Sequence, residues 1–400
     1  MIDAPLVAPS ARTWIEWTPD LIRAAMQLAD GGSLRLAADL CEAMLGDDRV
    51  QGALNLRARG LLGLPLSFER AGDGRRAGRA VRHLDAEQDF WTAFPQPTLG
   101  KLNAWGVLLG VGLAQSVWTE IPAGRVLPVL EWWHPRNLRW DAMARGWWVR
   151  TVAGEVALEV GTARWVFYAP GGTPRPWVDG AWRAIAPWWL LKTYAKSDWG
   201  VEGERARGLL AVKPPAPGAS GVLPDSDQRR AHRQRLAEQL RTLGRNGVIV
   251  LPDGFDLSLV QAAANTWQTY KGQVDAANTA IAIALTGTNL TTEVTGGSYA
   301  AAEVHRAVSN TLLTADAGAL GACLHDGPLR WWAFYNFGDP ELAPWPAWDT
   351  TPPEDLAALV GAWGAAADAA AKFRDLGVDV DVAEIARRVR LPLRGPRGTA

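Results

Sequence analysis

Glu303 and His305 stand two residues apart in a long Ala-rich stretch, the nearest the chain comes to an acid–base pair. A proton carrier or metal ligand is the sharp reading of His305, and a satisfied helix histidine is the plainer one. The five histidines, at 83, 134, 232, 305 and 325, are scattered, and Cys323-x-His325 brings no further ligand that would complete a metal site. Asp85, Glu87 and Asp89 read as a solvated helix face. Gly100-Lys101 lacks the upstream glycine and following hydroxyl of a phosphate-binding loop. Gly110-Val-Gly112 fits close packing or a bulge before a strand better than nucleotide binding. No nucleophile, base and orienting group fall together, so the expectation is no catalytic residue, no cofactor and no metal. One charge signal remains. The predicted helix 225–244 carries Arg229, Arg230, Arg233, Arg235 and Arg241. It is either an exposed helix with ordinary salt pairs or a docking surface for a protein or for phosphates.

The elements that must position these residues alternate between helix and strand, an α+β pattern. Helices are predicted over 20–28, 34–45, 47–62, 75–93 and 98–110, with a short strand at 64–69. Strands follow at 113–120, 125–133, 146–152, 155–159 and 163–168, closed by a Gly/Pro loop over 170–176. A helix over 182–200 leads into a small β-α-β-β unit with strands at 205–213, 247–251 and 255–260. A return helix over 264–285 would span roughly 33 Å. The Thr/Gly-rich break 286–297 separates it from a long helix starting near Ser298, where Ala301, Val304, Val308, Thr311, Leu312 and Ala315 recur on one face. A Pro/Trp-rich loop over 339–353, a terminal helix over 353–376, a short helix over 382–390 and a disordered tail from Pro392 complete the reading.

Composition narrows the partners. Across 400 residues there are 41 basic and 42 acidic side chains, a formal net charge of −1. A protein that holds nucleic acid by neutralising phosphates is usually far more basic, so contact with DNA is expected to be local or weak. Cys41 and Cys323 suggest neither a disulfide framework nor a zinc site, which fits a reduced setting. Residues 1–14 lack a signal-peptide pattern, and the apolar stretch 105–118 is too short and Gly-rich to cross a bilayer. The excess is in tryptophan, 22 against 5 tyrosines and 8 phenylalanines, which points to core and subunit interface, with a stacking platform as the alternative.

Several runs taken in order carry a family likeness: Asp47-Asp48 followed by a helix with an arginine, Tyr194-Ala-Lys196 with Trp199, Val248 to Pro252, Leu285-Thr-Gly-Thr-Asn-Leu-Thr-Thr-Glu, Gly296-Gly-Ser-Tyr-Ala, Val304-His305, Asp316-Ala and Asn336-Phe-Gly. Their order and spacing resemble the Mu-type portal proteins of tailed bacteriophages, from about Ile22 to Leu391. The resemblance implies a ring-forming phage portal fold. Its parts would be a wing (1–181 and 299–349), two stem helices (182–203 and 263–285), a small α/β clip (204–262), a channel loop (286–298) and a helical crown with its tail (350–400). It also implies a structural, non-enzymatic role: a homo-oligomeric ring, usually of twelve subunits, at one vertex of the capsid. The ring would be assembled in the host bacterial cytoplasm and carried in the virion, with no membrane. Double-stranded DNA would pass non-specifically through the channel during packaging and ejection. The partners implied are the major capsid protein, the large terminase, which carries the packaging ATPase, and later a head–tail adaptor. On this map Thr286, Thr288, Asn289, Thr291, Thr292, Glu293 and Thr295 line the channel. The clip arginines Arg229, Arg230, Arg233, Arg235 and Arg241 dock the partners. The chain departs from the pattern in being short beyond the crown and rich in tryptophan. The rival from another class is a non-ring helical scaffold or adaptor that binds a partner through 204–262. The remaining rival is an enzyme using Glu303 and His305.

Overall fold

The computed structural model describes residues 5–9, 15–205 apart from 87, 123 and 173, then 209–213, 230, 234, 235, 238, 256–260, 266–288, 299–351 and 356–375. Expectations for 214–229, 241–251, 289–298 and 376–400 lie outside the described residues. The chain forms two compact units, 1–348 and 349–400. The second is described by one helix alone, Leu356–Asp375.

Three helices open the first unit: α1 (Pro19–Asp30), α2 (Arg35–Met44) and α3 (Asp48–Leu62). The Thr18 hydroxyl accepts from the Leu21 amide and Pro19 follows it, so α1 starts on a side-chain cap. The Asp47 carboxylate caps α3, accepting from the Arg49 and Val50 amides at 2.9 and 3.3 Å. The short strand β1 (Leu66–Glu69) follows. The helix expected over 75–93 is two, α4 (Arg75–Leu84) and α5 (Asp89–Ala93), because Gln88 takes a left-handed conformation at φ 55°. That break turns Asp89 inward. It is 4 % exposed and accepts from Arg125 Nε and Nη2 at 2.8 and 3.0 Å, so it is a paired buried carboxylate and not part of a solvated face.

Helix α6 (Gln96–Leu108) leads into two antiparallel sheets. The strands are β2 (Gly112–Glu120), β3 (Val126–Trp133), β4 (Leu138–Asp141), β5 (Gly146–Thr151), β6 (Gly154–Leu158) and β7 (Trp165–Tyr168). One sheet runs β3-β2-β7 and the other β4-β5-β6. Gly110 has φ +91°, and a Cβ there would lie 1.9 Å from the Pro176 carbonyl oxygen, so close packing explains the Gly110-Val-Gly112 run. Many of the tryptophans fill the cores, while Trp188 and Trp267 are exposed. Trp177, Trp182 and Trp332 are fully buried, and Trp133–Trp165 and Trp147–Trp177 meet edge to face at 5.1 and 5.6 Å.

After β7 the chain leaves along α7 (Trp182–Arg205) and forms β8 (Leu209–Lys213). It re-emerges as β9 (Asp256–Val260), antiparallel to β8, and returns along α8 (Thr266–Thr286), which packs on α7. The long helix α9 (Tyr299–Leu324) passes through one wide turn, His325–Leu329, into α10 (Arg330–Phe337). The π-type turn absorbs Pro328, which has no amide to donate. The face of α9 expected to pack does so in part: Val308 and Leu312 are half-buried, and the side chains of Ala301 and Val304 lie outside the described residues. Thr311 and Ala315 are exposed, while Asp316, Ala317, Leu320 and Leu324 are buried. The 339–353 stretch is not all loop, since β10 (Trp345–Trp348) pairs with β1. Pro346 is tolerated because this sheet has only two strands, both of them edges.

The Asn336-Phe-Gly run has a mechanical reason. Asn336 Oδ1 accepts from the Val126 amide and its Nδ2 donates to the Val126 carbonyl, each at 2.9 Å, so the side chain pairs with the start of β3 as a strand would. Gly338, at φ +73°, ends α10 in the left-handed conformation. Asn336→Asp keeps the acceptor but sets a carboxylate against the Val126 and Trp332 carbonyls, both of which Asn336 Nδ2 serves. It is expected to destabilise by about 1–3 kcal/mol in urea unfolding, with Asn336→Ala alike.

Candidate functional site

The side chains that work together lie where the α7–α8 hairpin meets the body, and α3 is the element that gathers them. Its capping residue Asp47 and first residue Asp48 hold Lys192 of α7. Lys192 Nζ lies 2.8 Å from Asp47 Oδ2 and 2.6 Å from Asp48 Oδ1, with its side chain only 1 % exposed. Lys196, one turn further, reaches Asp48 at 3.4 Å. In the same first turn Arg49 Nε donates to the Asn278 carbonyl of α8 at 3.1 Å. The charged N-terminus of α3 therefore fixes both legs of the hairpin at one level. The Lys192 hydrogen bond holds the Asp48 carboxyl well below the usual carboxylate range, against the opposing effect of burial, with the Lys192 and Lys196 charges adding to it.

About two and a half turns along α3, Arg57 joins the C-terminal end of α8 to the long helix. Its Nε and Nη2 donate to Asp316 Oδ2 and Oδ1 at 2.9 and 2.5 Å, a two-pronged pair with Asp316 only 5 % exposed. Its Nη1 donates to the Leu285 carbonyl at 3.0 Å. That carbonyl is in the last turn of α8, where carbonyls lack an intrahelical partner and the helix dipole favours a cation. One guanidinium thus holds the end of α8 and the middle of α9. This is why Asp316 faces inward and why Thr311 and Ala315 of the expected apolar face are left exposed. Helix α8 stops at Gly287, whose φ of +70° suits the residue after a helix and whose amide donates to the Ile283 carbonyl at 2.9 Å.

The residues expected to line a channel divide. Thr286 closes α8 instead of opening the loop, and both Thr286 and Thr288 are buried. Thr286 Oγ1 lies 2.9 Å from the Ala282 and the Thr288 carbonyl oxygens, so its proton serves one at a time. Those two brace the segment and do not face outward in the chain. Asn289, Thr291, Thr292, Glu293 and Thr295 lie outside the described residues. Of the expected docking arginines, Arg230 and Arg235 are helical and exposed, and Arg229, Arg233 and Arg241 lie outside the described residues. Glu303 and His305 are on α9, with side chains that are not described.

The sequence reading singled out the Asp47-Asp48 pair, an arginine on the following helix and Asp316, but not who pairs with whom. Lys192, a lone cation in the run Trp188-Trp-Leu-Leu, was the signal it passed over. The arrangement tethers helices. Apart from it, burial pushes the Cys41 thiol well up and the Cys323 thiol up to about 12. Among the described residues no helix is long and apolar enough to cross a membrane, and no cluster of three His, Cys, Asp or Glu could hold a metal.

A family model described as the portal protein of Mu bacteriophage matches residues 38–391. No curated protein matches the chain. Among solved structures, the virion of a native gene transfer agent particle is 16 % identical, with 94 % of this chain and 99 % of that one covered and a TM-score of 0.53. The neck of an empty gene transfer agent particle computed with C6 symmetry is 17 % identical, covering 88 % and 94 % at a TM-score of 0.52. The neck of the native particle computed with C12 symmetry is 17 % identical, covering 94 % and 95 % at 0.52. At these identities the likeness is one of fold.

Proposed function

The chain belongs to the family of portal proteins of Mu bacteriophage, and from that premise we propose that its copies close into a ring of twelve at one vertex of a phage-like capsid. It is a portal protein of a phage-like particle, with the portal fold. The observation that carries the ring reading is the family match from residue 38 to 391, which takes in the hairpin, its tethers and the long helix together. In this reading the wing is 1–181 with 299–349, the stem 182–203 with 263–285, the clip 204–262 and the crown 350–400. DNA enters the capsid through the bore during packaging and leaves by it on ejection. Asn289, Thr291, Thr292, Glu293 and Thr295 line the bore, anchored by the buried Thr286 and Thr288. A net charge of −1 suits a channel in which every tight phosphate contact would resist sliding. The arginines of 225–244, Arg230 and Arg235 being exposed, dock a terminase first and a head–tail adaptor later. The role is structural, and the ring sits in the virion after assembly in the host cytoplasm.

Negative-stain electron microscopy with mass from light scattering tests this reading. Rings with a central hole are the expected result. A species that stays at the 43.2 kDa of one chain with its capsid partners present would replace the portal ring with the adaptor reading.

A further inference from the structure

Helix α7 carries a row of exposed large residues, one of which, Tyr194, donates its hydroxyl to the Trp17 carbonyl at 3.3 Å. Leu191, Tyr194 and Val201 are 36, 44 and 44 % exposed, and Asp198 sits among them. With Pro187 they alternate by four and three residues, the spacing of a seam that packs against another helix. The level set by α3 relates this row to α8. Lys192 and Asn278 are both held by the first turn of α3, so they lie level. Counting away from them in opposite chain directions, Leu191 falls level with Thr279, Tyr194 with Ala276 and Asp198 with Gly272. Gly272 and Ala276 are exposed too, and Thr279 is half-buried. At about 100° per residue, the two rows centre about 140° and about 125° from the residue that faces α3. They form one face of the hairpin, the face turned away from α3.

The opposite face is charged. Lys196 lies about 40° round α7 from Lys192, and Lys271 about 20° round α8 from Asn278. Both stand near the level of Asp198 and both are exposed, Lys196 while 3.4 Å from Asp48 of its own chain. We propose that, in the ring, the part of each hairpin that runs on past the start of α3 packs against the next copy, so that Asp198 of one chain pairs with Lys271 of its neighbour, with Lys196 beside it. Rotation about a ring axis leaves level unchanged, so groups that meet between copies must already be level within one. A ring needs a head-to-tail contact in which two different faces of the same chain complement each other. An apolar row with one carboxylate on one side, and lysines at its level on the other, meets both conditions.

The inference rests on the ring reading, and charge reversal separates the two. Asp198 is exposed, so Asp198→Lys should fold and melt as the wild type does. It is expected to cut ring assembly at least tenfold by light-scattering mass, and Asp198→Lys with Lys271→Asp should restore it. A short bis-maleimide added to Asp198→Cys/Lys271→Cys should give a ladder of linked chains, since the two positions lie on opposite faces within one hairpin. Wild-type rings from Asp198→Lys, no rescue by the double change, or rings without a ladder each overturn the interface and leave the ring standing. A wild-type chain that forms no ring overturns both.

Discussion

Replacing Arg57 with leucine is expected to lower stability by about 3–5 kcal/mol, because it strips the partner from a carboxylate that cannot reach water. Asp316 is 5 % exposed and takes both of its close hydrogen bonds from this guanidinium. The same change uncaps the Leu285 carbonyl in the last turn of α8. Arg57→Lys should recover little, since one ammonium cannot serve two carboxylate oxygens and a carbonyl on a separate helix. The double change Arg57→Leu with Asp316→Leu should recover most of the loss, because removing both charges also removes the stranded one. Urea unfolding followed by tryptophan fluorescence gives all three values. Equal loss in the single and double variants would mean that packing, and not the ion pair, holds this junction. The consequence reaches function, because Arg57 fixes the end of α8 and the middle of α9, the two supports of the segment assigned to the bore.

How much of this could be read beforehand depended on how local the cause was. The strands β2, β3, β5 and β6 follow from alternation and turn residues, causes contained in a few neighbouring positions. Strand β10 was hidden because Pro346 argues against a strand unless the strand has a free edge, and only the partner β1 reveals that edge. Asp89 resembled a solvated carboxylate until a left-handed Gln88 turned it toward Arg125. The face of α9 was partly misread, because the periodicity of apolar residues cannot register an inward charge. Asp316 is drawn in by a residue 259 positions away. The order of short runs identified the family, yet it gave their sequence positions without their partners. Asp47-Asp48 and Lys192 lie 144 to 145 residues apart, and the buried lysine between apolar neighbours could not by itself name its counter-charges.

That lysine carries the second large effect. Lys192→Met should destabilise by about 3 kcal/mol, near the low end for a broken buried pair. Asp47 keeps its capping bonds to two amides, and Asp48 is 74 % exposed, so water screens much of its charge. The effect should also depend on pH in a defined direction. Contact with Lys192 depresses the folded-state pKa of Asp48 below the unfolded value of about 3.9. Such a group contributes its full stability above the unfolded value and loses it as pH falls through the folded one. Wild type should therefore lose stability faster than Lys192→Met below about pH 5, and the two curves should converge on acidification. Parallel curves would mean that Asp48 gains nothing from the lysine. Because Lys192 and Asn278 fix the level and the facing of the hairpin, the variant should also weaken ring assembly while leaving Asp198 and Lys271 intact. Assembly at the wild-type level despite the lost stability would show that the α7–α8 packing orients the hairpin without the anchor from α3.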